Sequence, residues 1–138
     1  DRIDYEYRAG RVAVGPELRY TPGGTPVVNM TLMQSTRYFD RDSNEWKESA
    51  RSVVDVVLWD KQRRDQDPVP WTKWANDHLK VGDLVVVHGR LTQRRWQTNN
   101  GDNRYKTEFV ADKVFTALSN LEPDSGGGVA PGEPEPPF

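Results

Sequence analysis

Gly89-Arg-Leu-Thr-Gln-Arg-Arg-Trp-Gln-Thr-Asn-Asn-Gly-Asp-Asn-Arg-Tyr-Lys-Thr-Glu-Phe109 alternates regularly enough to form two strands. Asn100-Gly101 at its centre favours the type I′ turn that closes a tight hairpin. With those two residues as the loop, Asn99 faces Asp102, Trp96 stands opposite Tyr105, and Arg95 stands opposite Lys106. Side chains alternate along a strand, so Arg94 shares the Trp96 face. Two adjacent arginines do not suit a buried strand, so the ribbon is expected to protrude into solvent. A flat aromatic beside guanidinium groups suits a ligand that offers both stackable bases and phosphates, which points to single-stranded nucleic acid.

Upstream of the hairpin, Leu84-Val-Val-Val87 begins the strand that runs into it. Trp71, Trp74, Ala75, His78 and Leu79 recur at helical spacing, which predicts a helix anchored on the barrel by the two tryptophans, with Gly82 placed to end it. Asp60 to Pro70 is charged and proline-bearing and reads as a loop. Ser49 to Trp59 is a strand, and its centre Val53-Val-Asp-Val-Val-Leu58 suggests burial on both faces. Asp40-Arg-Asp-Ser-Asn-Glu45 is a polar loop, with Trp46 in a loop beside Lys47. Val27 to Phe39 is the longest strand pattern, with Val28, Met30 and Leu32 on one face. Ile3, Tyr5 and Tyr7 alternate with polar residues as a half-exposed strand, and Gly15-Pro16 interrupts the pattern that continues to Tyr20. Three strands, one helix and two strands describe an all-β, five-stranded OB barrel.

The 138 residues suit one domain and a tail, with the domain expected at 1–118 and the tail at 119–138. The tail is glycine- and proline-rich and acidic and is expected to be disordered. The net charge of −2 divides unevenly. The tail holds four acids and no lysine or arginine, which leaves 19 cations against 17 acids in a mildly basic body. With no cysteine and only two histidines, neither a disulfide nor a thiolate or histidine metal site is expected, and no cofactor. No run approaches the roughly 20 apolar residues of a membrane span. Asp1 to Glu6 lacks the apolar core of a secretory signal.

Enzymatic motifs fail on inspection. Asp40, Asp42 and Asn44 begin like a calcium loop, but Glu45 stands where glycine is needed and Arg51 where the bidentate glutamate belongs. Gly10 to Gly15 has no following Lys-Ser/Thr, and no serine sits in a Gly-x-Ser-x-Gly elbow. A metal-dependent nuclease using Asp40, Asp42, Asp55 or Asp60 has no supporting histidine, so no catalytic residue is assigned.

Four blocks share one further property. Glu17 to Leu32, Val53 to Lys61, Leu79 to Leu91 and Arg104 to Val114 resemble, in order and at similar spacing, the bacterial single-stranded DNA-binding proteins. The likeness covers about residues 9–115. It implies an OB fold, sequence-tolerant binding of single-stranded DNA in replication, recombination and repair, usually as a homotetramer, and a cytoplasmic, nucleoid-associated location. By that resemblance Trp96, Trp59 and Tyr38 match the family's base-stacking aromatics, with Phe39 as the alternative to Tyr38 if the register slips. Arg37, Arg41, Lys47, Lys61, Arg90, Arg94, Arg95, Arg104 and Lys106 are candidate phosphate contacts. The end of the chain, with Glu133, Glu135, Pro137 and Phe138, resembles the acidic tip through which the family recruits replication and repair proteins. Three departures stand out: Val53 where many relatives carry an aromatic, Asp60 where glycine is usual, a negative charge next to Trp59, and a connection at residues 62–72 longer than the usual one. They leave open a second class, an OB-fold assembly module of the replication-restart type with little DNA affinity.

Overall fold

Alternation of apolar and polar residues becomes five long strands. In the computed structural model, which describes residues 4–123, they are β1 (Glu6–Tyr20), β2 (Pro26–Asp40), β3 (Glu45–Trp59), β4 (Leu84–Gln97) and β5 (Asn103–Thr116). A helix, α1 (Trp71–His78), lies between β3 and β4, and a 3-10 turn at Leu118–Leu121 follows β5. The strands close into a barrel in the order β1-β2-β3-β5-β4. Neighbours are antiparallel except β3 and β5, which run parallel through Val56–Phe109, Val57–Val110 and Leu58–Ala111. This is the OB barrel expected from the order of elements.

In the barrel portions of the strands alternate residues point inward, and this inward set is apolar. Val12, Val28, Met30, Leu32, Val56, Leu58, Val85, Val87, Phe109 and Ala111 form one cluster, closed at one side by Ala75 of α1. Trp71 and Leu79 pack against it. Full burial of a side chain such as Phe109 or Leu32 contributes about 1.5–3 kcal/mol, so this cluster dominates the stability of the barrel. Gly89, at the register shift of β4 against β5, has no room for a side chain: a Cβ there would lie 2.0 Å from the Val110 carbonyl oxygen.

Several elements differ from the sequence reading. β1 is one strand rather than an interrupted pattern, and Gly15-Pro16 falls at register shifts between Val12 and Glu17. Such irregularities let a strand bend with the barrel without ending it. β3 begins at Glu45 rather than Ser49, because the pairs Asp40–Glu45, Phe39–Trp46 and Tyr38–Lys47 extend the β2–β3 hairpin into a long arm. Trp46 is therefore a strand residue. Burial on both faces of β3 holds only at Val56, Val57 and Leu58, whereas Val53 is exposed. The helix stops at His78, and Gly82 sits instead in the turn before β4. Trp71 anchors that helix but Trp74 is half exposed, since Thr72 and Ala75 occupy the inward positions.

The boundary expected after residue 118 falls inside a built contact. Asn120 Oδ1 accepts the Leu84 N–H at 2.8 Å, and its Nδ2 donates to the Leu84 carbonyl at 2.8 Å and to Thr116 Oγ1 at 3.0 Å. Asn120 thus satisfies the first residue of β4 much as a neighbouring strand would. No helix among the described residues is long and apolar enough to cross a membrane.

Candidate nucleic-acid interface

The β4–β5 hairpin is closed by three residues, not two. The Gly101 N–H donates to the Thr98 carbonyl at 2.9 Å, the Thr98 N–H to the Asp102 carbonyl at 2.8 Å, and Gly101 has φ 87°. A turn followed by a left-handed glycine is the three-residue alternative to the type I′ turn, and it shifts the register by one. Trp96 therefore stands opposite Arg104 rather than Tyr105, Arg95 opposite Tyr105, and Arg94 opposite Lys106. The correction sorts the side chains cleanly. Directly opposed residues share a face, so Arg94, Trp96, Arg104 and Lys106 lie on one side of the ribbon and Arg95 and Tyr105 on the other.

The Trp96 side is the outward side of the barrel, because the inward residues of β4 and β5 are Val85, Val87, Phe109 and Ala111. Trp96 is 40% exposed. Arg94, two residues earlier on the same face, lays its guanidinium 4.9 Å from the centre of the Trp96 ring. Its Nε donates to Glu108 Oε1 at 3.1 Å. Beside this pair, Lys106 Nζ lies 3.6 Å from Asp55 Oδ2, and Asp55 Oδ1 accepts the Thr31 hydroxyl at 2.9 Å. Trp59, 39% exposed, falls on the same outward side of β3 as Asp55. Trp96 and Trp59 thus share one outward sheet face with Arg94, Arg104 and Lys106, threaded by the Asp55 and Glu108 carboxylates and bordered by Glu17 and Arg19.

Tyr38 is placed elsewhere. It lies half exposed on the β2–β3 arm, opposite Lys47 and beyond the register shift at Thr36–Arg37 that separates the arm from Asp55 and Trp59. Phe39 points the other way and meets Trp46 edge-on, with ring centres 5.6 Å apart. The Trp46 Nε1–H is buried with no acceptor. Arg37 and Lys47 are also on the arm, and Arg41 is in its turn. Lys47 Nζ pairs with Asp40 Oδ2 at 2.8 Å, which holds the Asp40 carboxyl below its usual range and raises the lysine.

Lys61 stands apart from both groups, whereas Arg90 continues the outward alternation of Arg94 and Trp96 towards the start of β4. Lys61 Nζ sits 5.9 Å from the centre of the Trp71 ring, at the start of α1. Arg90 lies 5.9 Å from the Tyr5 ring, in an aromatic group with Tyr7 and His88, where His88 Nδ1 is 2.6 Å from Asp112 Oδ1.

Three acidic residues had no assigned role in the sequence reading. Asp60 Oδ1 accepts both the backbone N–H of Thr72, at 2.9 Å, and its hydroxyl, at 2.6 Å. It therefore ties down one of the unpaired N–H groups in the first turn of α1, and its charge is directed to the helix rather than to Trp59. Glu108 and Asp55 are the carboxylates beneath Arg94 and Lys106. Their alternation with Phe109 and Val56 made them outward residues. Their adjacency depends on the parallel β3–β5 pairing, which no local pattern announces. The tip residues Glu133, Glu135, Pro137 and Phe138 lie outside the described residues.

The Single-strand binding protein family matches residues 9–116. The chain is 34% identical over 128 residues to Single-stranded DNA-binding protein 1 of Tropheryma whipplei, an alignment covering 88% of this chain and 64% of that protein. It is 30% identical over 133 residues to the Single-stranded DNA-binding protein of Mycobacterium bovis, covering 92% and 76%. The chain spans about six-tenths of the length of the first curated relatives it matches. Among solved structures it resembles the small single-stranded DNA-binding protein of Streptomyces coelicolor, with 28% identity, a TM-score of 0.57, and coverage of 84% of this chain and 95% of that one. The Plasmodium falciparum protein described as an SSB complex with ssDNA shares the fold, with 24% identity, a TM-score of 0.63 and coverage of 83% and 95%. With all four sequence blocks and nearly all of the barrel inside the matched span, the chain belongs to the single-strand binding protein family.

Proposed function

We propose that this chain binds single-stranded DNA without marked sequence preference, coating and protecting it during replication, recombination and repair. The observation that carries the reading is the outward face of the hairpin, where exposed Trp96 is flanked by Arg94 and faced by Arg104. Bases of any identity stack on an indole, and phosphates of any sequence meet guanidinium groups, so this chemistry is sequence-tolerant. Trp59 extends the same face, and Tyr38 with Arg37, Arg41 and Lys47 offers a second, separate contact along the arm. The names of the relatives support the ligand class. No catalytic role or cofactor is assigned. Within this reading the protein is cytoplasmic and nucleoid-associated, assembles as a homotetramer, and recruits replication and repair proteins through Glu133, Glu135, Pro137 and Phe138.

One observation favours a second reading, an assembly module with little DNA affinity. Lys47, Arg94 and Lys106 already face carboxylates. Titrating intrinsic tryptophan fluorescence with oligothymidylate separates the two. DNA binding predicts saturable quenching at low salt. An emission that does not change, together with no shift of the oligonucleotide in a gel, would select the assembly reading.

A further inference from the structure

We propose that Glu108 is a positioning residue of the interface: it holds the Arg94 guanidinium beside Trp96 so that its two outer amino groups are offered to a phosphate. The inference rests on reading this face as the single-stranded DNA surface, and deepens it.

The geometry is specific. The Glu108 side chain is 9% exposed and that of Arg94 is 54% exposed, so the carboxylate is the fixed member of the pair and the guanidinium the presented one. The bond uses Nε, at 3.1 Å, and an arginine joined through Nε keeps its Nη pair free as a fork for phosphate oxygens. The same guanidinium lies 4.9 Å from the centre of the Trp96 ring. The one guanidinium thereby has a buried carboxylate as its partner and an exposed indole as its neighbour. Without the carboxylate, a long flexible side chain would have to be ordered anew each time DNA arrived, and that ordering opposes binding.

The alternative role for Glu108 is a background anion that repels phosphate, and the two roles predict opposite signs. As a repelling anion, its removal strengthens binding and steepens the salt dependence. As a positioning residue, its removal weakens binding although the net charge becomes more positive. The experiment titrates oligothymidylate into the full chain, Glu108→Ala, Glu108→Gln and Trp96→Ala over a range of salt. The expected result is a loss of about tenfold for Glu108→Ala, the low end of what one charge-assisted hydrogen bond supplies. The slope of log affinity against log salt should lessen by about 0.7, one phosphate contact. Glu108→Gln keeps an oxygen that accepts the Nε–H and should restore most of the affinity. Parent-like or tighter binding by a folded Glu108→Ala would overturn the inference while the Trp96→Ala loss left the function reading standing. A parent chain that does not bind would overturn both. If Glu108→Ala fails to fold, Arg94→Lys decides. It keeps the charge but loses the planar guanidinium whose Nε binds Glu108 while its Nη pair faces a phosphate, so weaker binding is expected and unchanged binding overturns the inference.

Discussion

Trp96 makes two contacts of different kinds, a guanidinium on one flank and open solvent on another, and its value to the protein depends on which of them matters for folding. It lies on a solvent-facing ribbon and is not part of the barrel cluster, so its truncation leaves no cavity in the core. Trp96→Ala is therefore expected to weaken oligothymidylate binding by roughly 1–3 kcal/mol, the usual loss for one stacked base. Thermal melting should stay at the parent midpoint. A lowered midpoint with unchanged affinity would make the indole structural and remove it from the interface. Trp96 and Arg94 were legible from the sequence because strand alternation and an exposed basic context are local signals. Asp60 was not: its bond to Thr72 spans twelve residues, and only the fold shows that a charge adjacent to Trp59 in sequence is directed at a helix end.

The hairpins show how far a pattern carries and where it stops. Asn100-Gly101 correctly marks the β4–β5 turn, yet the same dipeptide serves a two-residue loop and a three-residue loop ending in a left-handed glycine. Local sequence does not choose between them, so the register was one residue out although both strands were in place. The β2–β3 arm was read short at Glu45–Glu48 because polar alternation looks the same in a loop and in a strand exposed on both faces. That arm also carries a pH response. Asp40 is lowered chiefly by its bond to Lys47, so this pair contributes above the unfolded carboxylate value, near pH 4. The contribution is lost as pH falls through the lower folded value. Amide protection along the arm, taken relative to the intrinsic exchange rate at each pH, is expected to fall on acidification in that window before that of the barrel amides. Lys47→Ala should remove that pH dependence, and arm protection that stays constant through the window would show the pair to be inert.

At the scale of the whole molecule, a mildly basic barrel is joined to an acidic terminal stretch, and the two should be separable at a point the structure defines. A cut after Glu122 retains Asn120 on Leu84 and is expected to leave the melting temperature unchanged, with DNA affinity equal to or above that of the parent because three acids are gone. A cut after Leu118 removes those hydrogen bonds and should lower stability by about 1 kcal/mol or more. Equal melting of the two truncations would show that Asn120 adds nothing. The central claim is that single-stranded DNA runs over the outward face of the β4–β5 hairpin. Its most direct test is the slope of log affinity against log salt for oligothymidylate, compared between the parent and Arg94→Ala/Arg104→Ala, two cations on the Trp96 side. Each phosphate contact contributes about −0.7 to that slope, so the double variant should be flatter by roughly 1.4, and by the same amount for oligonucleotides of other sequence. An unchanged slope would place the path of the DNA elsewhere on the protein.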